Sequence, residues 1–300
     1  MSKISVLVLT KNEAANIDTC LKCVLSQECE GTLEVIVIDS GSTDGTIEIA
    51  RRHPVRIEQI QPGEFHHAKT RNYAASLATG EFLVYLAADA CPASTNWLRS
   101  LISNFADDSV GAVYGRHLPK PGCNAERQAV LGTVYGDDRV LKKTSQRSEL
   151  GYRYYHFSTV NAAIRRDVWE AIRFPEELKV FEDVGIAKRI LDSNWTIVYE
   201  PRAAVYHSHN HTTLGLFKRY FDAGIIWKRL EIWDSMMRRA IFEEGWRMLR
   251  RKLGRRKNGK ATRGSISQDF AKYGGLILGL NERFLPLTLK RRFSAFRLFE

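Results

Sequence analysis

Ile4-Ser5-Val6-Leu7-Val8-Leu9-Thr10-Lys11-Asn12-Glu13 and, after a helix-length spacer, Leu33-Glu34-Val35-Ile36-Val37-Ile38-Asp39-Ser40-Gly41-Ser42-Thr43-Asp44-Gly45 decide the fold. Each run is short, apolar and rich in β-branched residues, as a strand buried on both faces requires, and each ends in a polar turn. In the spacer, Ile17, Cys20, Leu21, Val24 and Leu25 recur at helical spacing, so a helix with one apolar face joins the strands, and Asn12 stands where it caps that helix. A short helix ending near His53 and a strand over Val55 to Ile60 extend the pattern to β-α-β-α-β. A helix over about Ala68 to Thr79, stopped by Gly80, leads to a strand over Phe82 to Leu86 with Ala87-Ala88-Asp89-Ala90 at its carboxyl end. Alternating strands and helices predict an α/β fold with a mostly parallel sheet and flanking helices. Such sheets bind ligands past the carboxyl ends of their strands, so Asp39 and Asp89 are expected to converge.

Further along, Ser158 to Ile164 alternates like a half-buried strand, and a helix is expected around Val168 to Ile172. Phe181-Glu182-Asp183 opens a helix with Val184, Ala187, Ile190 and Leu191 on one side. Thr196 to Tyr199 reads as a last strand ending in His207-Ser208-His209-Asn210-His211, where the three histidines alternate as on a strand and share a face. From Leu214 the chain turns helical, basic and aromatic, with Phe217, Tyr220, Phe221, Trp227, Trp233, Phe242 and Trp246. Arg250 to Arg263 reads as an exposed link, and Ser267 to Leu280 as a final helix. The division expected is 1–213 for the α/β domain and 214–300 for a basic, helical extension.

The net charge of +11 belongs to that extension, where 21 Lys and Arg stand against 8 Asp and Glu, while residues 1–213 are slightly acidic. Such asymmetry points to an anionic surface as partner. The chain carries no recognised nucleic-acid motif, so a membrane face is expected rather than nucleic acid. No apolar run approaches the roughly 18 residues of a membrane span. The five cysteines, Cys20, Cys23, Cys29, Cys91 and Cys123, suit a reducing compartment better than a disulfide framework. Cys20-x-x-Cys23 suggests zinc or redox chemistry, but Cys20 falls on the apolar helix stripe and reads as core.

Thr10-Lys11-Asn12-Glu13, the Asp39-to-Asp44 loop, Arg71-Asn72 before a small-residue helix, Asp89 after the next strand, and Glu182-Asp183 together resemble family 2 inverting glycosyltransferases of the GT-A fold. The resemblance spans about Ile4 to His211. Within that family, Gly63 to Asn72 and His207-Ser208-His209-Asn210 look most like bacterial rhamnosyltransferases, which use dTDP-L-rhamnose. It implies a donor site from Thr10, Asn12, Glu13, Asp39, Arg71 and Asp89, with Asp39 on the base or ribose and Arg71 on the diphosphate. It also implies Mg²⁺ or Mn²⁺ held by Asp89 with His207 as a further ligand, Asp183 as general base and Glu182 orienting the acceptor. The sequence departs from the family at Ala87, which stands for the first acid of Asp-x-Asp. Partners implied are a nucleotide-sugar donor, a carbohydrate or polyprenol-linked glycan acceptor and an anionic membrane surface, at the cytoplasmic face of the cell membrane. Pro119 to Tyr155, polar and irregular, reads as an acceptor loop or mobile lid.

Three other readings carry less. A UDP-hexose donor fits the same site. Nucleotidyl transfer wants a Gly-rich phosphate loop after the first strand, and Thr10-Lys11-Asn12-Glu13 has no glycine. A nucleic-acid module built on the basic aromatic tail of an inert α/β scaffold has no recognised motif behind it.

Overall fold

The computed structural model describes residues 3–239, 241–243, 245, 250 and 263–300. They form two compact units. The first comprises Met1–Gln146, Tyr155–Glu177 and Glu182–His209, and the second Arg147–Tyr154, Leu178–Phe181 and Asn210–Glu300.

In the first unit, β1 (Lys3–Thr10) lies between β2 (Thr32–Asp39) and β4 (Phe82–Ala87), parallel to both, and β3 (Arg56–Gln59) continues the sheet beyond β2. The chain steps outward to β3 and returns to β4 on the other side of β1. Strand order therefore reverses between β1 and β4, and their carboxyl ends open a crevice there. Beyond β4 the sheet is mixed. β8 (Asn161–Arg165) runs antiparallel to β4 and to β6 (Val110–Leu118), whereas β9 (Thr196–Tyr206) is parallel to β6. The short strands β5 (Cys91–Pro92) and β7 (Val140–Lys142) pair antiparallel with β9.

The pleat explains the continuous apolar runs. Val6, Val8, Val35, Val37, Val84 and Leu86 share a core with Ile17, Cys20, Leu21 and Val24 of α1 (Ile17–Leu25), while Leu7, Ile36 and Ile38 are equally buried outside that core. Fully burying each such side chain stabilises the fold by roughly 1.5–3 kcal/mol. Cys20 is thus a core residue, and all five cysteines are free thiols. Asn72 of α3 (His67–Leu77) is structural: its amide donates to the Phe174 carbonyl at 3.1 Å, and its Oδ1 accepts from Trp169 Nε1 and Phe174 N–H.

Several local expectations change. Asn12 does not cap α1; its Oδ1 accepts the Thr43 N–H at 2.9 Å, in the next loop. Between α2 (Thr46–Ala50) and α5 (Ala125–Val134), the sequence reading left both α4 (Trp97–Ile102) and β6 unassigned. Residues 119–155 are not structureless: they hold α5, β7 and the single turn α6 (Arg147–Leu150). β9 runs on past Tyr199 to Tyr206 through an irregularity opposite Gly115 and Arg116. The histidines after Tyr206 therefore follow the strand rather than alternate along it. After β8, α7 (Arg166–Ile172) and α8 (Glu182–Asp192) occupy the expected places.

The second unit is helical. Thr212 caps α9 (Thr213–Arg229) by accepting the Gly215 N–H at 3.0 Å. α10 (Arg263–Leu280) approaches it so closely that a Cβ on Gly279 would stand 2.0 Å from the Phe221 carbonyl oxygen. Phe217 and Phe221 meet Phe293 at the end of α11 (Leu287–Phe293) edge to face. The expected link from Arg250 to Arg263, apart from its two ends, and Trp246 lie outside the described residues. Among the described residues no helix is long and apolar enough to cross a membrane.

Gly115 carries the tightest approach in the sheet: a Cβ there would stand 1.9 Å from the Ala203 carbonyl oxygen of β9. Gly115→Ala is expected to lower stability by about 3 kcal/mol, the upper end of overpacking costs, because the clash is with backbone. Urea unfolding measures it, and a midpoint equal to the parent's would contradict the close pairing of β6 with β9.

Candidate active site

The loops after β1 and β2 are laced together. Asn12 N–H donates to Ser42 Oγ at 2.8 Å, Glu13 N–H to Thr46 Oγ1 at 2.8 Å, and Ala14 N–H to Asp44 Oδ2 at 3.0 Å. Asp44 also caps α2 by accepting the Thr46 N–H at 3.1 Å. Asp39 is fully buried; its Oδ2 accepts the N–H groups of Gly41 and Ser42, both at 3.0 Å, and its Oδ1 accepts the Ser42 hydroxyl. Three of the roughly four acceptor positions of a carboxylate are thereby filled, and one remains. A cavity of about 340 Å³ opens at this loop, lined by Ser42, Thr43, Gly45, Glu48, Arg51 and Gln59 among others. Thr10, paired in register with Asp39, has a buried hydroxyl with no hydrogen bond among the described residues.

Past the end of β4, Asp89 meets two histidines that follow β9. Its Oδ2 lies 3.4 Å from His207 Nε2, 3.1 Å from His209 Nε2 and 3.6 Å from Lys120 Nζ, and the two imidazole Nε2 atoms are 3.1 Å apart. The ends of β6 and β9 fix this geometry, because His207 N–H donates to the Leu118 carbonyl at 2.9 Å and Lys120 N–H to Ser208 Oγ at 3.0 Å. Burial alone would raise the Asp89 carboxyl; the hydrogen bond from His209 and the charges of His207 and Lys120 outweigh it and bring the carboxyl down to about 2. Burial pushes His207 down to about 4 against the pull of Asp89, so at neutral pH the ring is the uncharged form that coordinates metals.

The three ligand atoms lie within 4.8 Å of one another. Their separations of 3.1 to 3.4 Å would let all three reach one divalent ion. Both imidazoles converge on the buried Asp89 Oδ2, which also suits a cation at that atom. One carboxylate and two imidazoles fit a borderline divalent ion.

A second acidic centre opens α8. Arg71 Nη1 lies 3.1 Å from Glu182 Oε1, both side chains nearly buried, and the guanidinium also donates to Thr159 Oγ1 at 2.9 Å and the His67 carbonyl at 3.0 Å. Next to this pair Asp183 accepts the Val184 N–H at 2.8 Å. Burial first, and then the Glu182 carboxylate, push Asp183 up to about 7. A carboxylate that merely favoured the helix dipole would be lowered instead. Tyr135 connects the two centres: its ring stacks on His117 at 4.3 Å, His117 meets His207 edge to face at 5.2 Å, and the Asp183 charge adds to the burial that raises the Tyr135 hydroxyl.

Comparison with known proteins gives these residues a context. The model of the family described as Glycosyl transferase family 2 matches residues 5–173. The chain belongs to that family. It is a glycosyltransferase with a GT-A fold. The O-antigen chain rhamnosyltransferase WbaN of Salmonella anatum is 35% identical over 268 residues, covering 88% of this chain and 85% of that protein. The O-antigen chain rhamnosyltransferase RfbN of Salmonella typhimurium is 29% identical over 300 residues, covering 98% of this chain and 95% of that one. Among solved structures, the mannosyltransferase PcManGT from Pyrobaculum calidifontis, in complex with GDP-Man and Mn²⁺, shares the fold with a TM-score of 0.57 at 21% identity, over 96% of this chain and 75% of that one.

The structure brings Thr10, Asn12, Glu13 and Asp39 to one pair of loops, Asp89 to His207, and Arg71 to Glu182 and Asp183. Two residues escaped the sequence reading. His209 was visible as the second histidine of His207-Ser208-His209, but its convergence with Asp89 depends on the turn after β9. Lys120 carried no signal at all, since it sits in a stretch without periodicity. His211, the third alternating histidine, is not in the three-residue group. Asp89→Asn and His207→Ala are each expected to weaken Mn²⁺ binding by about tenfold or more. Electron paramagnetic resonance titration of free Mn²⁺ reads this, and parent-like affinity in both variants would remove the ion from this position.

Proposed function

We propose that the protein is an inverting rhamnosyltransferase that moves L-rhamnose from dTDP-L-rhamnose to a lipid-linked glycan acceptor at the cytoplasmic face of the membrane. The observation that carries the chemistry is the Glu182-Asp183 pair beside Arg71, which leaves one half-buried carboxylate, Asp183, poised near neutrality. Similarity to two O-antigen rhamnosyltransferases over most of the chain supports the sugar and the kind of acceptor.

In this reading the remaining acceptor position of Asp39 takes a hydrogen bond from the thymine imide or a ribose hydroxyl, next to the loop that lines the cavity along Ser42 to Gln59. Thr10, Asn12 and Glu13 hold the loop that shapes it. Asp89, His207 and His209 would hold Mn²⁺ or Mg²⁺, the imidazoles favouring Mn²⁺, which would supply positive charge for the departing diphosphate. Asp183 takes the proton of the acceptor hydroxyl while that oxygen bonds to the anomeric carbon and the carbon–diphosphate bond breaks on the opposite side, which inverts the centre. Arg71 neutralises Glu182 and stands ready to donate to the diphosphate, and Glu182 orients the acceptor. Residues 1–213 perform the transfer. Residues 214–300 hold the protein to an anionic membrane through their basic charge and through Leu214, Phe242, Phe270, Ile277, Phe284 and Leu287, all exposed.

Asp183→Asn is expected to lower transfer by 10²- to 10⁴-fold, roughly 3 to 5 kcal/mol of barrier, with donor affinity nearly unchanged. Initial rates and donor titration check both halves, and a variant retaining more than about a tenth of the rate would move the base elsewhere. In a thermal-shift panel, dTDP-rhamnose is expected to stabilise most and UDP-hexoses less, with about 2.7 kcal/mol gained at a hundred times Kd. Stronger stabilisation by a purine nucleotide sugar would overturn the donor assignment. Truncation after Thr213 is expected to release the protein from anionic vesicles, and unchanged sedimentation of the shortened chain would refute the membrane role.

A further inference from the structure

We propose that the second unit contains a built site for a phosphoryl group, formed where α9 meets the loop after α11. A cavity of about 490 Å³ lies there, lined by Lys218, Arg219, Arg291, Ser294 and Arg297, with Glu300 the one acid on its wall. Four cations stand against Glu300 and the buried Asp222, which interacts with Arg219, so an excess of positive charge remains that fixed backbone must hold together. That fixing is visible. The buried Asp222 of α9 accepts the N–H groups of Ala295 and Phe296 at 2.7 and 2.9 Å, and Ser294 Oγ accepts the Leu298 N–H at 3.1 Å. The loop that carries Arg297 is thus clamped to the helix that carries Lys218 and Arg219. Behind it, Phe293 packs on Phe217 and Phe221.

Ring and backbone contacts orient two of these cations. Arg219 lies over the Phe296 ring at 5.2 Å, and Arg291 Nε donates to the Phe299 carbonyl at 3.2 Å, which leaves its two Nη groups for another acceptor. Among the described residues Lys218 and Arg291 have no carboxylate within ion-pair distance, and Arg297 reaches Glu300 only at 3.6 Å. Guanidinium forks together with an ammonium on one cavity wall match the several oxygens of a phosphoryl group, and a carboxylate would satisfy fewer of their donors. The same two elements carry exposed Leu214 and Leu287, so the phosphoryl group fits best as the headgroup of an anionic lipid. That source rests on the membrane-contact reading above; the site itself does not.

The test compares the full-length protein with Lys218→Gln/Arg291→Gln and with Arg229→Gln/Arg283→Gln, which removes the same charge from the same unit outside the cavity. One arm titrates inorganic phosphate and reads ³¹P line broadening. The other sediments each protein with phosphatidylcholine vesicles containing about a third phosphatidic acid, near physiological salt. The cavity variant is expected to lose phosphate broadening and to bind vesicles at least about tenfold more weakly than the control variant, with the same thermal midpoint. Loss of phosphate binding with vesicle binding equal to the control supports the site and assigns it to free phosphate. Identical behaviour of the two variants in both arms overturns the proposal. If truncation after Thr213 then still abolished vesicle binding, the membrane reading would stand without this site.

Discussion

The ion pair between Arg71 and Glu182 is the constraint on which the proposed catalytic centre depends. It joins α3 to the first turn of α8 at 3.1 Å with little water around either group. Taking two charges out of water is costly, and breaking such a pair by removing one partner typically costs about 3–5 kcal/mol because the other is left uncompensated. Arg71 is held by more than Glu182, since Thr159 and the His67 carbonyl take further donors. The result is one carboxylate whose charge is balanced and a neighbour, Asp183, whose charge is not. Burial and that neighbour together raise Asp183 to about 7, where a carboxylate both accepts a proton readily and is substantially ionised near neutral pH.

The second constraint is topological. Reversal of strand order between β1 and β4 opens the crevice, and the long β9 returns its end beside β6 so that His207 meets Asp89. Ala87 in place of an acid leaves Asp89 as the carboxylate of the group, and two imidazoles complete it. The chain thus gathers three donors by strand pairing where a cluster of acids along one loop would have done so by sequence proximity.

How far the sequence was readable follows from how local each signal is. β1, β2 and β4 were legible because burial on both faces makes unbroken apolar runs, and α8 because its apolar residues keep helical spacing behind Glu182-Asp183. β6 was not, since Gly111 and Gly115 interrupt its apolar run; at Gly115 the glycine answers to a contact with Ala203, almost ninety residues away. Asn12 was read as a local cap and turned out to bridge two loops thirty-one residues apart, with Asn16 taking the position before α1. Asp39 and Asp89 were singled out by the rule that ligands gather at carboxyl ends of strands. Lys120 and His209 reach Asp89 from separate parts of the chain, and no pattern in the sequence records that meeting.

The proposed mechanism needs Asp183 as a base whose proton is held near neutrality by its surroundings, and the pH dependence of kcat/KM for sugar transfer tests this most directly. The base works only when ionised, so the rate is expected to rise with pH up to an inflection near 7 and then level off, and the inflection should vanish in Asp183→Asn. A profile already level from about pH 5 upward, as an ordinary carboxylate near 4 would give, would contradict it.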